Sequence, residues 1–353
     1  MSKKIIAYNS YTINKPITGV GRYTQMLSYL DDKKIYKVGL CFNKFHCWDN
    51  GFNEVLSSNI YSKIPKLFWN YFSKNLRNKF EFLHSPFPSL PLFRSKKSII
   101  TIHDLIFLTN PEWYSRSELI FIKNSLKYAL KNSNYIICVS ESTKNQLIYH
   151  FPKVKNKIKV IHNCFPPDFK IESIKNYLPE KSSRLQSIKN HKYLVCPSNR
   201  HPRKNLENTI NGFINSKFKK AGYKLILTGL NENNFSSRHK FIIDLGYLSD
   251  QDYFFLIKNS NGIVYFPYKE GFGLPILDAM MFDKNIYVSK LPVFSEILSN
   301  HSMLEEFDNQ HSISDYLDEM YIKSENDISY DKKNFSFKNF QKRHFELYNK
   351  IFR

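Results

Sequence analysis

The segment from Glu270 to Asp278 has the composition of a turn that holds an anion. It reads Glu-Gly-Phe-Gly-Leu-Pro-Ile-Leu-Asp and follows an apolar run typical of a strand. Gly271 and Gly273 allow the backbone to approach a ligand closely, and Pro275 suits the first turn of a helix, where N–H groups attract phosphate. The segment predicts a diphosphate site in which Glu270 reaches a sugar hydroxyl. An ordinary strand-turn-helix with a solvated acid is the alternative, because short glycine motifs often occur without a ligand.

Three cations lie close together after another apolar run. Residues 198–205 read Ser-Asn-Arg-His-Pro-Arg-Lys-Asn and contain Arg200, Arg203 and Lys204. Arginine can hold a phosphate through two parallel hydrogen bonds, and lysine adds a point charge. Their position between a predicted strand and a predicted helix favours contact with a departing diphosphate. A solvated basic loop is the alternative, because the whole chain is basic.

The first half of the chain contains two weaker candidates. His103 and Asp104 follow the apolar run at 98–102, so His103 could bind or polarise a sugar hydroxyl while Asp104 orients the turn. A histidine after a strand also often has only a structural role. Gly19 and Gly21 lie in a glycine loop that lacks the third glycine and the later acid of a dinucleotide fingerprint. The loop therefore disfavours NAD and fits close approach to a sugar phosphate or an acceptor.

No cofactor and no metal are expected from the sequence. Asp250 and Asp252 resemble a metal-binding Asp-x-Asp pair, but they precede the apolar stretch of a predicted helix. Ser249 or Asp250 as N-cap, with acids in the first turn, explains the pair without a metal ion. The sequence also has no Walker loop, no GxSxG elbow and no HExxH motif.

Composition and charge limit the class of protein. The chain has 353 residues, 42% hydrophobic and 16% aromatic, which predicts two domains with real cores. Its formal charge of +21 would attract nucleic acid, phosphorylated substrates or an anionic membrane face. No apolar run is long enough to span a bilayer and no signal peptide is recognisable, so we predict a cytoplasmic protein. Its five cysteines are scattered, as expected of reduced, mostly buried thiols: Cys41, Cys47, Cys138, Cys164 and Cys196.

Short β-branched runs alternate with amphipathic stretches along the whole chain. The runs at 98–102, 135–139 and 193–196 predict strands, and the stretches at 23–30 and 141–150 predict helices. This alternation predicts βαβ units, and therefore an α/β fold with two doubly wound, Rossmann-like domains facing a cleft. We predict a first domain at 1–170, a linker at 171–190, a second domain at 191–333 and a terminal helix at 334–353. Ligands of such sheets bind beyond the carboxyl ends of the strands, where the motifs above lie.

Taken in order, the motifs resemble those of the GT-B glycosyltransferases, specifically the retaining family 4. The likeness includes the glycine loop at 18–23, His103-Asp104, residues 139–143, residues 159–163, the Pro-Arg-Lys-Asn at 202–205, the Glu-x7-Glu signature at 270–278 and the terminal helix. In that family the terminal helix crosses back to the first domain. The departures are Asp278 in place of a longer glutamate, Cys164 in place of a glycine, and Ser198-Asn199 in place of a glycine-containing pair.

The resemblance implies a role for each matched residue. Glu270 contacts the donor sugar and His103 lies against the transferred sugar, while Arg203 and Lys204 hold the diphosphate; of these, His103, Lys204 and Glu270 form the predicted catalytic set. The predicted substrate-binding residues are Gly19, Gly21, Asp104, Asn199, Arg203, Thr228, Leu248, Gly271, Phe272, Gly273, Leu274 and Asp278.

The predicted function is transfer of a hexose, mannose as the first expectation, from a nucleoside-diphosphate sugar to a glycan or lipid-linked acceptor in bacterial surface polysaccharide synthesis. The basic stretches at 63–79 and 94–97 are predicted to touch the inner face of the plasma membrane, although solvated lysines explain them nearly as well. Nucleic acid is not an expected partner. The alternatives are a basic nucleic-acid-binding protein, and an epimerase or synthase of the same architecture acting on sugar nucleotides.

Overall fold

The computed structural model describes residues 4–9, 18–41, 51–57, 82–90, 97–179, 184–229, 239–299, 301, 303–305, 307–323 and 329–352. The chain divides into two compact units. The first contains Met1–Asn163 and Phe337–Arg353, and the second contains Cys164–Ser336. The stretch predicted as a linker, 171–190, belongs to the second unit and carries the end of one helix and a short 3-10 turn, Arg184–Ile188.

The described strands of the first unit form one parallel sheet. They are β1 (Lys4–Asn9), β2 (Ile35–Cys41), β3 (Glu54–Ser57), β4 (Phe82–Ser85), β5 (Lys97–Ile102), β6 (Tyr135–Cys138) and β7 (Ile158–Val160). Their order across the sheet is β3-β2-β1-β4-β5-β6-β7. Strands β4 and β5 are buried almost throughout, as expected where helices cover both faces of a parallel sheet.

The described helices of the first unit are α1 (Gly19–Ser28), α2 (Ile106–Thr109), α3 (Arg116–Asn132), α4 (Glu141–His150) and, from the end of the chain, α12 (Phe337–Phe352). Ser115 and Glu118 form a capping box at the start of α3. Helix α12 buries Phe340, His344 and Leu347, whose spacing forms one helical stripe. The terminal helix therefore belongs to the first unit, as predicted.

The glycine loop predicted at 18–23 is instead the beginning of α1. Thr18 is the N-cap, and its hydroxyl oxygen accepts from the Gly21 amide at 3.3 Å. The helix therefore starts at Gly19, ahead of the predicted start at Tyr23. The reason is the N-cap chemistry of threonine, which offsets the low helix propensity of two glycines.

The second unit has a parallel sheet of its own among its described residues. Its strands are β8 (Tyr193–Pro197), β9 (Lys224–Thr228), β10 (Ile242–Asp244), β11 (Gly262–Tyr265) and β12 (Asn285–Val288), in the order β10-β9-β8-β11-β12. Its helices are α5 (Asp168–Lys175), α6 (Leu206–Asn215), α7 (Lys217–Lys220), α8 (Asp250–Asn259), α9 (Leu274–Met281), α10 (Pro292–Leu298) and α11 (Gln310–Ile322).

The strand order of the second unit brings two distant segments together. Strands β8 and β11 pair directly, with Leu194 opposite Gly262 and Val195 opposite Ile263. The chain runs outward from β8 to β9 and β10 on one side, and from β11 to β12 on the other, so the order reverses between β8 and β11. Ligands of doubly wound sheets bind at this point of reversal. The segments that follow these two strands therefore lie where a ligand of such a sheet would bind.

Candidate functional site

The basic segment after β8 is held by contacts on both sides. Pro202–Lys204 form a 3-10 turn, which ends at Asn205 with a left-handed φ of 51°. The Asn205 side chain donates to the Phe307 carbonyl at 2.6 Å. The Tyr268 amide, in the segment after β11, donates to the Arg203 carbonyl at 2.8 Å. These bonds fix the turn that carries both cations next to the segment that begins at Glu270.

Arg203, Lys204 and Glu270 form one ion cluster. Oε2 of Glu270 accepts from Nη1 of Arg203 at 2.8 Å and from Nζ of Lys204 at 2.8 Å. The same oxygen accepts from the hydroxyl of Tyr265, and Lys204 also donates to that hydroxyl. The side chains of Lys204 and Glu270 are 10% and 12% exposed, so this pair is little screened by water. The cluster carries one more positive than negative charge, which suits an anion.

The two cations determine the charge of Glu270. Burial acts to raise the pKa of Glu270, but Lys204 and Arg203 outweigh it and hold the pKa well below its ordinary range. The carboxylate is therefore ionised near neutral pH. Burial, followed by the charge of Glu270, raises the pKa of Tyr265 well above its ordinary value. Its hydroxyl consequently remains a donor.

The glycine turn after Glu270 needs glycine at one position. Gly273 has a φ of 101°, and a Cβ there would lie 2.7 Å from Cε1 of Phe294. The turn leads into α9, with Pro275 in its first turn as predicted. The Gly271 amide donates to Oε1 of Glu270 at 3.3 Å, and the buried Phe272 packs edge-on to Phe335. The turn therefore places the start of α9, from Leu274, next to the ion cluster.

The remaining predicted substrate-binding residues of the second unit range from buried to exposed. Asp278, in α9, is only 2% exposed and accepts from the hydroxyl of Tyr253 at 3.2 Å. Asn199 is exposed, and its Oδ1 accepts from the His201 amide at 3.2 Å. Thr228 ends β9, and its carbonyl accepts from the Ser198 amide at 3.0 Å. Leu248 is half-buried and precedes α8.

In the first unit, His103 is held from two sides. Its Nε2 lies 2.7 Å from the carbonyl oxygen of Pro86, so this nitrogen carries the proton and donates. The ring of Tyr23 packs edge-on, with 5.0 Å between centroids. Burial lowers the pKa of His103, although the Pro86 carbonyl acts to raise it. Asp104 accepts from the Ile106 amide at 3.2 Å, which orients the turn into α2 as predicted. Gly19 is exposed and Gly21 is buried.

A chain of six buried side chains connects the sheet of the first unit to α12; we call it the polar chain. Its members, in order, are Tyr8, Tyr348, His84, Thr101, Tyr23 and His344. The successive distances between their polar atoms are 3.4, 2.8, 2.9, 3.0 and 3.1 Å. The polar chain was not predicted from the sequence, because its members are scattered from strand β1 to the terminal helix.

One backbone carbonyl decides the direction of these hydrogen bonds. Nδ1 of His344 lies 2.9 Å from the carbonyl oxygen of Phe340, which can only accept, so Nδ1 carries the proton. Nε2 of the neutral ring must then accept from the Tyr23 hydroxyl. Because the proton of Tyr23 is used there, Thr101 donates to Tyr23 and in turn accepts from Nε2 of His84.

The hydrogen bonds at the other end of the polar chain run in the same direction. His84 donates through Nε2, so its Nδ1 accepts from the hydroxyl of Tyr348, which accepts from Tyr8. Burial lowers the pKa of His344 to about 4 and the pKa of His84 well below its ordinary value, so both rings are neutral. Each hydroxyl thus donates once and accepts at most once along the chain.

Within the described residues, no group of three or more His, Cys, Asp or Glu side chains could hold a metal ion. Asp250 and Asp252 begin α8, and Ser249 caps this helix by accepting from the Asp252 amide at 3.1 Å. The N-cap interpretation of the Asp-x-Asp pair is therefore confirmed. Among the same residues, every helix is too short or too polar to cross a bilayer.

Two sequence profiles match this chain in succession. Glycosyltransferase Family 4 matches residues 54–169, and Glycosyl transferases group 1 matches residues 179–335. The chain is a family 4 glycosyltransferase. The predicted family, a family of retaining hexosyltransferases, is therefore confirmed.

Solved structures of low sequence identity share the fold. HepE from Anabaena, in complex with UDP and glucose, has a TM-score of 0.71 at 15% identity, over 98% of this chain and 99% of that chain. WaaG, a glycosyltransferase involved in lipopolysaccharide biosynthesis, has a TM-score of 0.69 at 11% identity, over 96% and 94%. These similarities confirm the predicted GT-B fold.

Two curated relatives match at low identity. The O-antigen chain mannosyltransferase B of Escherichia coli is 24% identical over 66% of this chain. The O-antigen chain mannosyltransferase RfbU of Salmonella typhimurium is 25% identical over 64% of this chain. The matched regions span 63% and 60% of the length of these relatives.

Proposed function

We propose that this glycosyltransferase moves a hexose, mannose as the first expectation, from a nucleoside-diphosphate sugar to a glycan or lipid-linked acceptor of a bacterial surface polysaccharide. Membership of family 4 supports the reaction class. The names of the two curated relatives support the sugar and the pathway. The observation that carries the proposal is the cluster of Arg203, Lys204 and Glu270 beside the glycine turn.

The proposed donor site uses residues that lie after β8 and β11. Arg203 and Lys204 bind the diphosphate, and the backbone from Phe272 to Leu274 meets it at the start of α9, where the positive end of the helix dipole adds to their charge. Glu270 contacts the donor sugar. Asp278 binds the ribose hydroxyls. Because Asp278 is buried and bonded to Tyr253, this contact would need a bridging water or a local rearrangement.

The remaining predicted residues receive supporting roles in this proposal. Asn199, Thr228 and Leu248 contribute to binding of the nucleotide, and Gly271 lets the backbone turn beside the phosphates. In the first unit, His103 binds the transferred sugar, and Asp104, Gly19 and Gly21 shape the substrate site around it.

In the proposed mechanism, catalysis comes mainly from stabilising the leaving diphosphate. As the glycosidic bond to the diphosphate breaks, negative charge grows on the phosphate oxygen and positive charge grows on the sugar. Lys204 and Arg203, already turned to the bound diphosphate at a site largely shielded from water, stabilise the growing phosphate charge without further reorganisation during the reaction. A retained configuration then follows from attack of the acceptor on the same face, assisted by the leaving phosphate, with Glu270 positioning the sugar.

We propose a cytoplasmic location at the inner face of the plasma membrane, where a lipid-linked acceptor would be presented. The first unit carries the predicted membrane-facing stretches. Residues 63–79 and 94–96 lie outside the described part of the chain. Lys97, at the start of β5, donates to the Ile351 carbonyl and so also helps to attach α12.

A donor screen tests the proposal. Thermal unfolding of the purified protein would be followed with a panel of nucleoside-diphosphate sugars and free nucleoside diphosphates, in EDTA. We expect stabilisation by one nucleotide family, and transfer to an acceptor glycan from the corresponding donor. Lys204→Ala should abolish the stabilisation and lower turnover by about 100-fold or more, the size of effect seen when a charge-stabilising donor is removed.

Lys290→Ala is the matched control. This substitution also removes one lysine charge. Lys290, however, pairs with Glu305 on the surface, where the two side chains are 54% and 72% exposed. Turnover of this variant should equal that of the wild type. Near-normal turnover of Lys204→Ala would refute the assignment of the site. A product formed without any acceptor would instead indicate an epimerase or synthase, and salt-sensitive binding of nucleic acid without transfer would indicate the nucleic-acid alternative.

A further inference from the structure

Tyr265 occupies the centre of the ion cluster, although no sequence motif includes it. It is the last residue of β11, and its side chain is 1% exposed. Its hydroxyl donates to Oε2 of Glu270 and accepts from Nζ of Lys204. That Nζ also lies 4.8 Å from the centroid of the Tyr265 ring. One buried hydroxyl group therefore connects the lysine and the carboxylate.

The contacts of Glu270 show why this hydroxyl matters. Oε2 accepts from Arg203, Lys204 and Tyr265, and two of these three donors are the cations that would bind a diphosphate. When the cations turn to phosphate oxygens, Glu270 loses the charges that keep it ionised in a buried place. An unpaired buried carboxylate is strongly destabilised. Of these three donors, Tyr265 carries no charge. The phosphate therefore attracts its hydroxyl less strongly than it attracts the two cations, and the hydroxyl stays bonded to Glu270.

We propose that Tyr265 is a positioning residue, which keeps the carboxylate of Glu270 ionised and directed at the donor sugar while Arg203 and Lys204 hold the diphosphate. This inference rests on the proposed function, because it requires a nucleoside-diphosphate sugar at this site. It assigns to Tyr265 an effect on turnover that is separate from the binding of nucleotide.

A second role of Tyr265 must be separated from the first. Its ring packs against Phe294 with 5.9 Å between centroids, and Phe294 lies under Gly273 of the glycine turn. The ring therefore also supports the wall of the site. Tyr265→Phe keeps this packing and removes only the hydroxyl group, so it tests the positioning role alone.

Tyr193→Phe provides a matched control. Tyr193 is 5% exposed and begins β8, at the opposite end of the sheet from the ion cluster. Its hydroxyl donates to the Leu256 carbonyl at 3.0 Å. Both variants remove one buried tyrosine hydroxyl from the same sheet, so Tyr193→Phe controls for the loss of a buried hydroxyl group as such. Only one of them touches Glu270.

The experiment compares the wild type, Tyr265→Phe and Tyr193→Phe. It measures thermal stability, the dissociation constant of free nucleoside diphosphate, and kcat and KM for the donor sugar across a range of pH. For Tyr265→Phe we expect nucleotide affinity within about 3-fold of the wild type, since the diphosphate is held by the two cations. We expect kcat to fall about 10- to 100-fold, the effect of one hydrogen bond to a charged group.

The pH profile distinguishes positioning from a structural effect. The titratable or charged groups that face Glu270 are Arg203, Lys204 and Tyr265, with Cys196 of β8 near the last two. Without the Tyr265 hydroxyl, Oε2 of Glu270 beside a bound diphosphate has lost its last donor and only the Gly271 amide at Oε1 is left, so the carboxylate should take up a proton more readily. The acid limb of kcat should therefore move to higher pH in Tyr265→Phe and stay in place in Tyr193→Phe.

Three results would overturn the inference. The first is a kcat of Tyr265→Phe within about 3-fold of the wild type, less than one such hydrogen bond contributes. The second is a loss of nucleotide affinity that accounts for the whole loss of activity. The third is an equal loss of kcat in Tyr193→Phe. Failure of the proposed function would look different, because the wild type itself would then neither bind nucleoside diphosphate nor transfer a sugar.

Discussion

Replacing Thr101 with valine should destabilise the first unit. Thr101 is the middle of the polar chain: its hydroxyl accepts from Nε2 of His84 at 2.9 Å and donates to the hydroxyl of Tyr23 at 3.0 Å. Valine has nearly the same shape and suits the buried strand β5. The substitution therefore removes two hydrogen bonds while keeping the packing around them.

The expected loss in free energy of unfolding depends on which buried atoms lose a hydrogen-bond partner. The His84 N–H is fully buried and cannot reach water, so leaving it unpaired costs about 1–3 kcal/mol. Tyr23 keeps its bond to His344 and loses only the bond that it accepts, which adds about 1 kcal/mol. We therefore expect a loss of about 2–4 kcal/mol. For a unit of this size each kcal/mol corresponds to about 2–4 °C, so the melting temperature should fall by roughly 4–16 °C.

Differential scanning calorimetry is the suitable assay, because two units can unfold in separate transitions. Thr209→Val is the matched control: Thr209 is buried in α6 of the second unit, and its hydroxyl donates to the Asn205 carbonyl, which also accepts the Thr209 amide. This control leaves no buried group unpaired and should cost less than about 1 kcal/mol. A Thr101→Val protein as stable as the wild type would refute the polar chain and the proton positions assigned to it.

Two further predictions concern the buried His344 ring and the close packing at Gly212. The pKa of His344 is lowered to about 4 in the folded protein, below the ordinary value of about 6.5. The stability it contributes is therefore complete above about pH 6.5 and is lost as the pH falls towards 4; NMR titration of the His344 ring in the native protein should show no protonation near pH 6.5. Gly212→Ala would place a Cβ 2.4 Å from Cγ2 of Ile313, where α6 meets α11, and should lower the free energy of unfolding of the second unit by about 1–3 kcal/mol in urea titrations. Equal stability of Gly212→Ala and the wild type would contradict this close approach.

Much of the fold could be predicted from the sequence, because its strongest signals are local. The apolar runs at 98–102, 135–139 and 193–196 became β5, β6 and β8 with shifts of one residue at most. Helix α4 has the predicted bounds, Glu141–His150. Strands β2, β3, β4 and β10 and helices α5, α10 and α11 were not predicted, and the shorter of these segments carry little periodicity. The order of the strands could not be predicted either, because it depends on which crossovers pack together rather than on any one segment.

The candidate site shows the same division between local and distant signals. The predicted motifs after β8 and β11 lie beside each other because these two strands pair, and the Asp-x-Asp pair lies in the first turn of a helix capped by Ser249, as expected. The tyrosine within this cluster was missed, since Tyr265 looks like any other member of an apolar strand. Only the alternation of sides along β11 and the register of the sheet turn its hydroxyl group towards Lys204 and Glu270.

The two units use buried polarity in different ways, and this explains why only one of them could be read from the sequence. The ion cluster of the second unit consists of charged groups that follow strands β8 and β11 and would exchange partners when an anion binds. The polar chain of the first unit is neutral, and its hydrogen bonds run in one direction from Tyr8 to the carbonyl of Phe340. A neutral chain in which every proton has one place resists rearrangement, because moving one proton requires moving them all. Such a chain suits the permanent attachment of a terminal helix, whereas an ion cluster with surplus positive charge suits an anionic ligand that binds reversibly.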